Sequence, residues 1–221
     1  MTSLTEDTML LLFQPRSGTF AGEGTAMFHT LAGAVLIDLA LTGRITIDDR
    51  STMRGRLVHP TLGPAPADPL AARAWTRLGR GPTDVHALIA EVGPHLRQDT
   101  IDQLVAHGDL RTERRRVLGL FPSTALIDTG IGRRDTLLAP VRAALVDGLI
   151  PDPRTAALAG LLYASSILPE LHQDIPWTGA VHQHGVALQR GEWGTLAVAD
   201  EVRRSVAAIT TNALFLAEWG R

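Results

Sequence analysis

Residues 25–47 read TAMFHTLAGAVLIDLALTGRITI, and this stretch decides the fold. Between residues 26 and 41 the only strongly polar side chains are His29, Thr30 and Asp38, so an α-helix here would be apolar on nearly every side. A helix that is hydrophobic all round is normally buried inside a protein. A membrane span needs roughly 20 predominantly apolar residues, which this interrupted run does not supply. We therefore predict that it forms the central core helix.

The ends of this predicted helix carry their own signals. Thr25 is a suitable N-cap, and Gly43 stands where a left-handed residue would end the helix. Residues 44–48 then alternate polar and apolar side chains, which predicts a half-buried strand, and residues 53–58 are a candidate return strand.

Further helices are predicted around this core from amphipathic patterns. They cover residues 69–78, 83–92 (with Thr83 as N-cap), 94–107, 135–147 and 195–219. A second very apolar helix is expected from Asp152 to Leu168, because Asp152 and Pro153 supply an N-cap and a first-turn proline. Residues 9–13 are short and apolar, and periodicity does not separate a buried strand from the end of a helix that begins near Thr5.

The predicted fold class is mainly α. We expect a single globular domain, residues 1–221, with apolar core helices surrounded by amphipathic helices, plus one or two small β-hairpins. The chain is long enough to bury a full core, and its 45% apolar and 20% charged residues are ordinary globular values. A net charge of -2 argues against a generally basic nucleic-acid binder, and the absence of cysteine excludes disulfides and thiolate metal sites.

A cationic run followed by an apolar one occupies residues 109–122, DLRTERRRVLGLFP. Alternation near residues 117–121 and the breaker Pro122 predict a β-hairpin or a projecting loop. The candidate contact residues are Arg111, Arg114, Arg115, Arg116, Val117, Leu118, Leu120 and Phe121. Each basic residue near an anionic membrane surface contributes about 1 kcal/mol, so this cluster predicts membrane attraction. The alternatives are a solvated charged face and an apolar tip that forms a dimer contact or ordinary core.

The histidines invite a metal site. His182 and His184 are two positions apart, with His172 and Asp174 nearby, and imidazole is a common metal ligand. Two histidines at this spacing diverge on a helix, and no third ligand stands at a diagnostic spacing. We therefore expect no metal and no other cofactor.

Catalytic patterns are missing from the sequence. It has no GxGxxG after a strand, no phosphate-binding loop, no nucleophile elbow and no HExxH. His29 and Asp38 would lie about 13 Å apart along one helix at a rise of 1.5 Å per residue, so each should have a separate partner. We therefore expect a protein that is not an enzyme.

Four segments in order resemble the Golgi phosphoprotein 3 family, whose members are also widespread in actinobacteria. They are LTEDTMLLL at 4–12, LAGAVLIDLALTGRITID at 31–48, LVAHGDLRTE at 104–113 and DPRTAALAGLLYASSIL at 152–168. The resemblance implies a helical, non-enzymatic peripheral membrane protein that recognises phosphatidylinositol 4-phosphate and, in eukaryotes, acts as an adaptor for glycosyltransferases. In that family arginines beside a tryptophan hold the headgroup, and an adjacent apolar hairpin enters the bilayer or mediates self-association.

Carried onto this chain, the resemblance places Arg97 on one of the pocket arginines. Pro94 and Ala32 stand at two further arginine positions, and the tryptophan position falls near Gly22 and Glu23. The expected partners are an anionic phospholipid or membrane surface held by Arg97 and the hairpin, a second copy through the hairpin, and a protein client. The alternative is a soluble protein-interaction or regulatory module that keeps the fold without lipid recognition. The N-terminal residues do not resemble a signal peptide, so we expect a cytoplasmic protein, peripheral on the inner face of the membrane.

Overall fold

The central helix α2 (Thr25–Leu41) is buried as its sequence predicts. The computed structural model describes residues 2–48, 56–117, 121–192 and 204–211. Within α2 the apolar side chains between Leu31 and Ile37 are at most 1% exposed. The core helix is therefore confirmed.

The start of α2 differs from the prediction, while its end agrees. Gly24, and not Thr25, is the N-cap, and no side chain caps the helix there. Gly24 has φ of 99° and ψ of -139°, a conformation open mainly to glycine, so the chain enters the helix one residue earlier than the threonine signal suggests. Gly43 adopts φ of 66° and ends the helix as expected.

The N-terminal apolar run is a helix, α1 (Leu4–Leu12), and not a strand. Ser3 and Glu6 form a capping box, in which the Ser3 hydroxyl accepts from the Glu6 N–H and the Glu6 carboxylate accepts from the Ser3 N–H. Two short strands follow, β1 (Phe13–Gln14) and β2 (Thr19–Phe20), and they pair antiparallel. This pair leads the chain into α2.

A small antiparallel sheet lies after α2, in the order β3 (Ile45–Ile47), β4 (Leu57–Pro60) and β5 (Thr83–Asp84). The strand expected at 44–48 is therefore confirmed. The return strand was predicted at residues 53–58, and its described part begins at Leu57. Residues 49–55, which include the start of the predicted strand, lie outside the described residues.

Three helices follow in the middle of the chain, α3 (Pro69–Leu78), α4 (Val85–Val92) and α5 (Leu96–Ala106). Thr83 was the wrong N-cap for α4, because it pairs in β5 with β4. Asp84 caps α4 instead, with its Oδ1 atom accepting from the Ala87 N–H at 3.0 Å. The helix predicted from residue 94 begins later, since Gly93–His95 form a 3₁₀ turn.

After α5 come a β-hairpin and α6. The strands β6 (Leu110–Val117) and β7 (Phe121–Asp128) pair antiparallel, and the hairpin expected there is confirmed. Helix α6 (Arg133–Leu145) lies two residues earlier than the predicted range, because Gly132 in a left-handed conformation begins it.

The second apolar helix is α7 (Pro153–Ala164). Asp152 caps it as expected, accepting from the Thr155 N–H at 3.1 Å. It ends before the predicted Leu168 because Ser166 takes φ of 58° and a 3₁₀ turn follows at Leu168–Leu171. Helix α8 (Gly179–Gln189) was not predicted from the sequence. Residues 204–211 form part of a last helix, α9, and the rest of its predicted range lies outside the described residues.

All of these helices share one hydrophobic core. Helix α2 contacts α1, α3, α4, α5 and α7, and α7 in turn packs against α6 and α8. The mainly α fold class is thus confirmed. Within the described residues, no helix combines the length and the apolar character needed to cross a membrane.

Candidate functional site

Arg97 lies in the first turn of α5 and reaches the loop that precedes α2. Its Nη2 atom donates to Oε1 of Glu23 at 2.6 Å. Its guanidinium carbon lies 5.7 Å from the centroid of the Phe20 ring, within the range of a cation–π contact. The side chains of Arg97 and Glu23 are 37% and 48% exposed, so solvent reaches both partners of this ion pair. Arg97 is therefore accessible but already paired.

The loop that carries Glu23 is held in place on its other side. The Gly22 N–H donates to Oε2 of Glu170 at 2.8 Å, and the Gly22 carbonyl accepts from the Met27 N–H at 2.9 Å. Gly22 has φ of 68°, and a Cβ atom there would lie 2.3 Å from Cδ1 of Ile167. Only glycine fits this position without a shift, so the loop presents the Glu23 carboxylate from a fixed backbone.

The other positions that the resemblance assigns to the headgroup pocket supply no cation. Ala32 is 1% exposed inside α2 and offers no surface. Pro94 lies in the 3₁₀ turn before α5, one turn of chain from Arg97. Arg97 contacts Glu23, which lies near the position to which the resemblance assigns the family's tryptophan.

The hairpin that carries the other candidate residues is long and regular. Eight residue pairs join its strands, from Leu110 opposite Asp128 to Val117 opposite Phe121. Arg111 and Arg114 are exposed, and Arg111 pairs with Glu113 at 3.4 Å. Being three positions apart on one strand, these two arginines point to opposite faces of the ladder.

The tip of the hairpin is only partly described. Arg115 and Arg116 pair in the backbone ladder with Ser123 and Pro122. Leu118 and Leu120 lie outside the described residues. Arg115 and Arg116 therefore lie in the backbone ladder near the turn of the hairpin, and the role of all four residues in binding stays a prediction.

The base of the hairpin is fixed to the core. Leu110 and Asp109 are 1% and 3% exposed. Arg133 donates to the Asp109 carboxylate, and the Thr129 hydroxyl donates to the Gly108 carbonyl at 2.6 Å. The Thr129 N–H also donates to the Asp109 carbonyl at 3.1 Å. The base of the hairpin is therefore anchored to the core.

Comparison with protein-family models finds a match over most of the chain. The model of the family described as Golgi phosphoprotein 3 (GPP34) matches residues 4–205, which include α1, the core helix, Arg97 and the hairpin. The chain belongs to the Golgi phosphoprotein 3 family. No curated protein matches the chain.

This member of the Golgi phosphoprotein 3 family contains a buried charge network that the sequence did not reveal. Asp7 is 2% exposed and accepts from Arg133 and, at 2.6 Å, from Nη2 of Arg154. Burial lowers the pKa of Arg133, but the hydrogen bonds and charges of Asp7 and Asp109 outweigh it and raise that pKa. The two carboxylates keep the guanidinium charged, so the network is ionic.

Glu6, the neighbouring acidic residue of α1, makes a separate buried contact. It is 2% exposed, and its Oε1 atom lies 2.6 Å from Nδ1 of His107, which is itself more than half exposed. Both acidic residues of the N-terminal motif are therefore buried partners of side chains from other helices. Nothing in the sequence pattern predicted that these two acidic residues would be buried.

The polar residues inside the core helix have separate environments. Asp38 accepts from the Leu4 N–H at 3.2 Å and lies 3.5 Å from Arg154. Burial raises the pKa of Asp38, although the Leu4 N–H and Arg154 act in the opposite direction. His29 has a buried Nδ1 atom without a hydrogen-bond partner, so the expectation of a separate partner fails for that atom. Burial and the charge of His86 lower the pKa of His29.

The histidines near the C-terminal part do not converge. Nδ1 of His182 lies 3.1 Å from the Tyr163 hydroxyl, whereas Nδ1 of His184 lies 2.9 Å from the Leu145 carbonyl oxygen. His172 lies near the Pro169 carbonyl instead. In the described part of the chain, no three histidine or acidic side chains come close enough together to hold a metal ion.

A cleft of about 470 Å³ opens between residues 14–17 and residues 170–174. On its lining, Arg134 is 6% exposed and donates to the Phe13 carbonyl at 3.0 Å and to the Asp174 carboxylate at 2.5 Å. This arginine is thus engaged in joining α6 to the chain around it. The cleft did not follow from any sequence motif.

Proposed function

We propose that this protein is a non-enzymatic peripheral membrane protein that binds anionic phospholipid. In this proposal the β6–β7 hairpin makes the membrane contact and Arg97 takes the phosphate of a headgroup. Membership of the Golgi phosphoprotein 3 family favours phosphatidylinositol 4-phosphate as that headgroup.

The observation that carries the proposal is the rooted hairpin with exposed arginines. Eight backbone pairs stiffen it, and Asp109 and Leu110 are buried at its base. Exposed Arg111 and Arg114 stand on this extension. A hydrogen-bonded hairpin presents its charges to a surface at less entropy cost than an unpaired loop would, and each arginine contributes about 1 kcal/mol near anionic lipid.

The apolar residues that follow the arginines in the sequence complete the proposed contact. Val117, Leu118, Leu120 and Phe121 follow the arginines in sequence. Apolar side chains that enter the interface add burial energy of roughly 25 cal/mol per Å². Charge would attract the protein to the surface, and the apolar tip would retain it.

Vesicle co-sedimentation tests this function. Wild-type protein is mixed with vesicles of phosphatidylcholine alone, with added phosphatidylserine, or with added phosphatidylinositol 4-phosphate. We expect binding to both anionic vesicles at low salt, and loss of it in the double variant Arg111→Glu, Arg114→Glu. The matched control is Arg73→Glu with Arg80→Glu, which changes the charge equally at exposed arginines of another element. Equal effects of the two double variants would contradict the hairpin contact.

A second candidate is a soluble interaction module on the same fold. The observation in its favour is that Arg97 is already neutralised by Glu23 and needs no lipid to be satisfied. For such a module we expect that the wild type does not bind vesicles. We also expect a dimer in sedimentation equilibrium, which Leu120→Asp should dissociate. Binding to anionic vesicles by a monomeric protein would exclude it.

A further inference from the structure

We propose that Glu23 is an intramolecular competitor of phosphate at Arg97, so that an anionic ligand binds there only by displacing this carboxylate. The inference rests on the proposed function, because it concerns the control of the same site. It assigns a role to Glu23, which the sequence analysis placed only near the position of the family's tryptophan. The chemical class of ligand is a phosphate group, either of a lipid headgroup or of a soluble phosphate.

The ion pair has the geometry of a ligand contact. Oε1 of Glu23 lies 2.6 Å from Nη2 of Arg97, while the guanidinium plane of Arg97 is supported by the Phe20 ring. A phosphate oxygen prefers the same edge of a guanidinium, since both anions bind its N–H groups in the guanidinium plane. One carboxylate and one phosphate therefore compete for the same donors.

The backbone that carries this carboxylate is held in position before any ligand arrives. The Gly22 N–H is bound by Glu170, and Ile167 closes the space beside Gly22, so the backbone next to Glu23 is fixed. Because this backbone keeps Glu23 close to Arg97, the carboxylate competes at a high effective concentration. A flexible acidic side chain elsewhere on the surface would not have this effect.

The contact is nevertheless weak enough to exchange. Both side chains are more than a third exposed, and exposed ion pairs contribute little because water and salt screen them. A phosphomonoester carries close to two negative charges at neutral pH and offers three terminal oxygens. A phosphate group therefore binds Arg97 more strongly than a single carboxylate does, once the Glu23 side chain has moved away and no longer repels it.

The test is a double-mutant cycle between Glu23→Gln and Arg97→Ala. Inorganic phosphate is titrated into each ¹⁵N-labelled protein. NMR follows the backbone amides of residues 22–24 and, in the proteins that keep Arg97, its Nε–H signal. We expect Glu23→Gln to bind phosphate about two- to fivefold more tightly than wild type, the range set by an exposed ion pair. In the Arg97→Ala background the same substitution should have no effect.

The matched control is Glu91→Gln. Glu91 is an equally exposed carboxylate that forms a 2.8 Å ion pair with Arg77, and its loss changes the net charge by the same amount. If Glu91→Gln strengthens phosphate binding at residues 22–24 as much as Glu23→Gln, the effect is one of general charge and the inference is wrong. The inference also fails if Glu23→Gln acts equally with and without Arg97.

Vesicle binding separates this inference from the proposed function. Increased affinity of Glu23→Gln for phosphatidylinositol 4-phosphate vesicles, together with the phosphate result, supports both. A phosphate effect without vesicle binding by any variant would keep Glu23 as the competitor and contradict the membrane function. Vesicle binding that is unchanged in Glu23→Gln, with no phosphate effect, would leave the hairpin contact and overturn the role of Glu23.

Discussion

The Nη2 atom of Arg154 lies 2.6 Å from Oδ2 of Asp7, and this buried ion pair joins α1 to α7 across 147 positions of sequence. Asp7 also binds Arg133 at the start of α6. One carboxylate, almost completely buried, therefore organises three helices that are distant in the chain. The stability of the fold should depend on it.

Asp7→Asn is expected to destabilise the protein strongly. The substitution keeps the shape of the side chain but removes the buried charge that Arg133 and Arg154 share, so that Arg133 keeps only Asp109 and Arg154 only the more distant Asp38. Removing one partner of a buried ion pair costs about 3 kcal/mol. Urea denaturation measures the change. The control is Asp99→Asn, whose exposed pair with Arg73 should be worth less than about 1 kcal/mol. Equal losses in both variants would mean that burial adds nothing to the Asp7 network.

Gly22→Ala should lower the free energy of unfolding by about 2 kcal/mol, because it adds both backbone strain and a steric clash. The backbone has φ of 68°, and the new Cβ atom would lie 2.3 Å from Ile167. Gly43→Ala is the matched control, since Gly43 has φ of 66° with no atom within 4 Å of its added Cβ. It should show only the conformational cost of about 1 kcal/mol. A loss no larger at Gly22 than at Gly43 would show that Ile167 yields freely.

The contribution of Asp38 to stability should fall as pH rises. Burial raises its pKa above the ordinary value of 3.8, so the folded protein binds this proton more tightly than the unfolded chain does. The folded state then binds more protons between 3.8 and the raised pKa, and its stability decreases with pH through that window. Asp38→Asn cannot titrate. The unfolding free energy of wild type minus that of Asp38→Asn should therefore fall across the window, and a difference that rises with pH would contradict the sign.

Thr129→Val should loosen the hairpin at its base. The hydroxyl donates to the Gly108 carbonyl at 2.6 Å, and its loss costs about 1 kcal/mol. Hydrogen exchange of the amides of residues 110–113 should become faster while exchange in the core helix stays slow. Thr136→Val removes a comparable hydroxyl bond, to Gly132 at 2.9 Å within α6, and serves as control. If Thr136→Val accelerated the exchange of residues 110–113 as much as Thr129→Val does, the effect would not be specific to the Thr129 hydrogen bond.

Short-range signals in the sequence were sufficient for much of the fold. The core helix was predictable because its apolar side chains continue on every face, which only a buried helix satisfies. The hairpin was predictable from alternation and Pro122. Helix α8 was missed because glycines at 179 and 185 weaken its helical pattern. Glycine is required at 185 because of a contact with a distant residue. A Cβ atom there would lie 2.2 Å from the ring of Tyr163.

The candidate site was only partly predictable. Family resemblance located Arg97 and the region of Glu23, but their pairing joins side chains 74 positions apart and no local pattern encodes it. The same holds for Asp7, whose arginine partners lie on α6 and α7. Charges in a sequence identify candidates for contact, whereas their partners follow from the packing of distant helices.

Arg133 gives the hairpin a mechanical property. It binds Asp109 at the hairpin base and Asp7 in α1, so a force on the hairpin reaches the core through an ionic joint as well as through the chain. If the hairpin is held at a surface while the body of the protein is pulled away, the load is shared between that joint and two backbone connections. A force on the hairpin is then transmitted to α1, the first helix of the chain, as well as to the two segments that flank the hairpin.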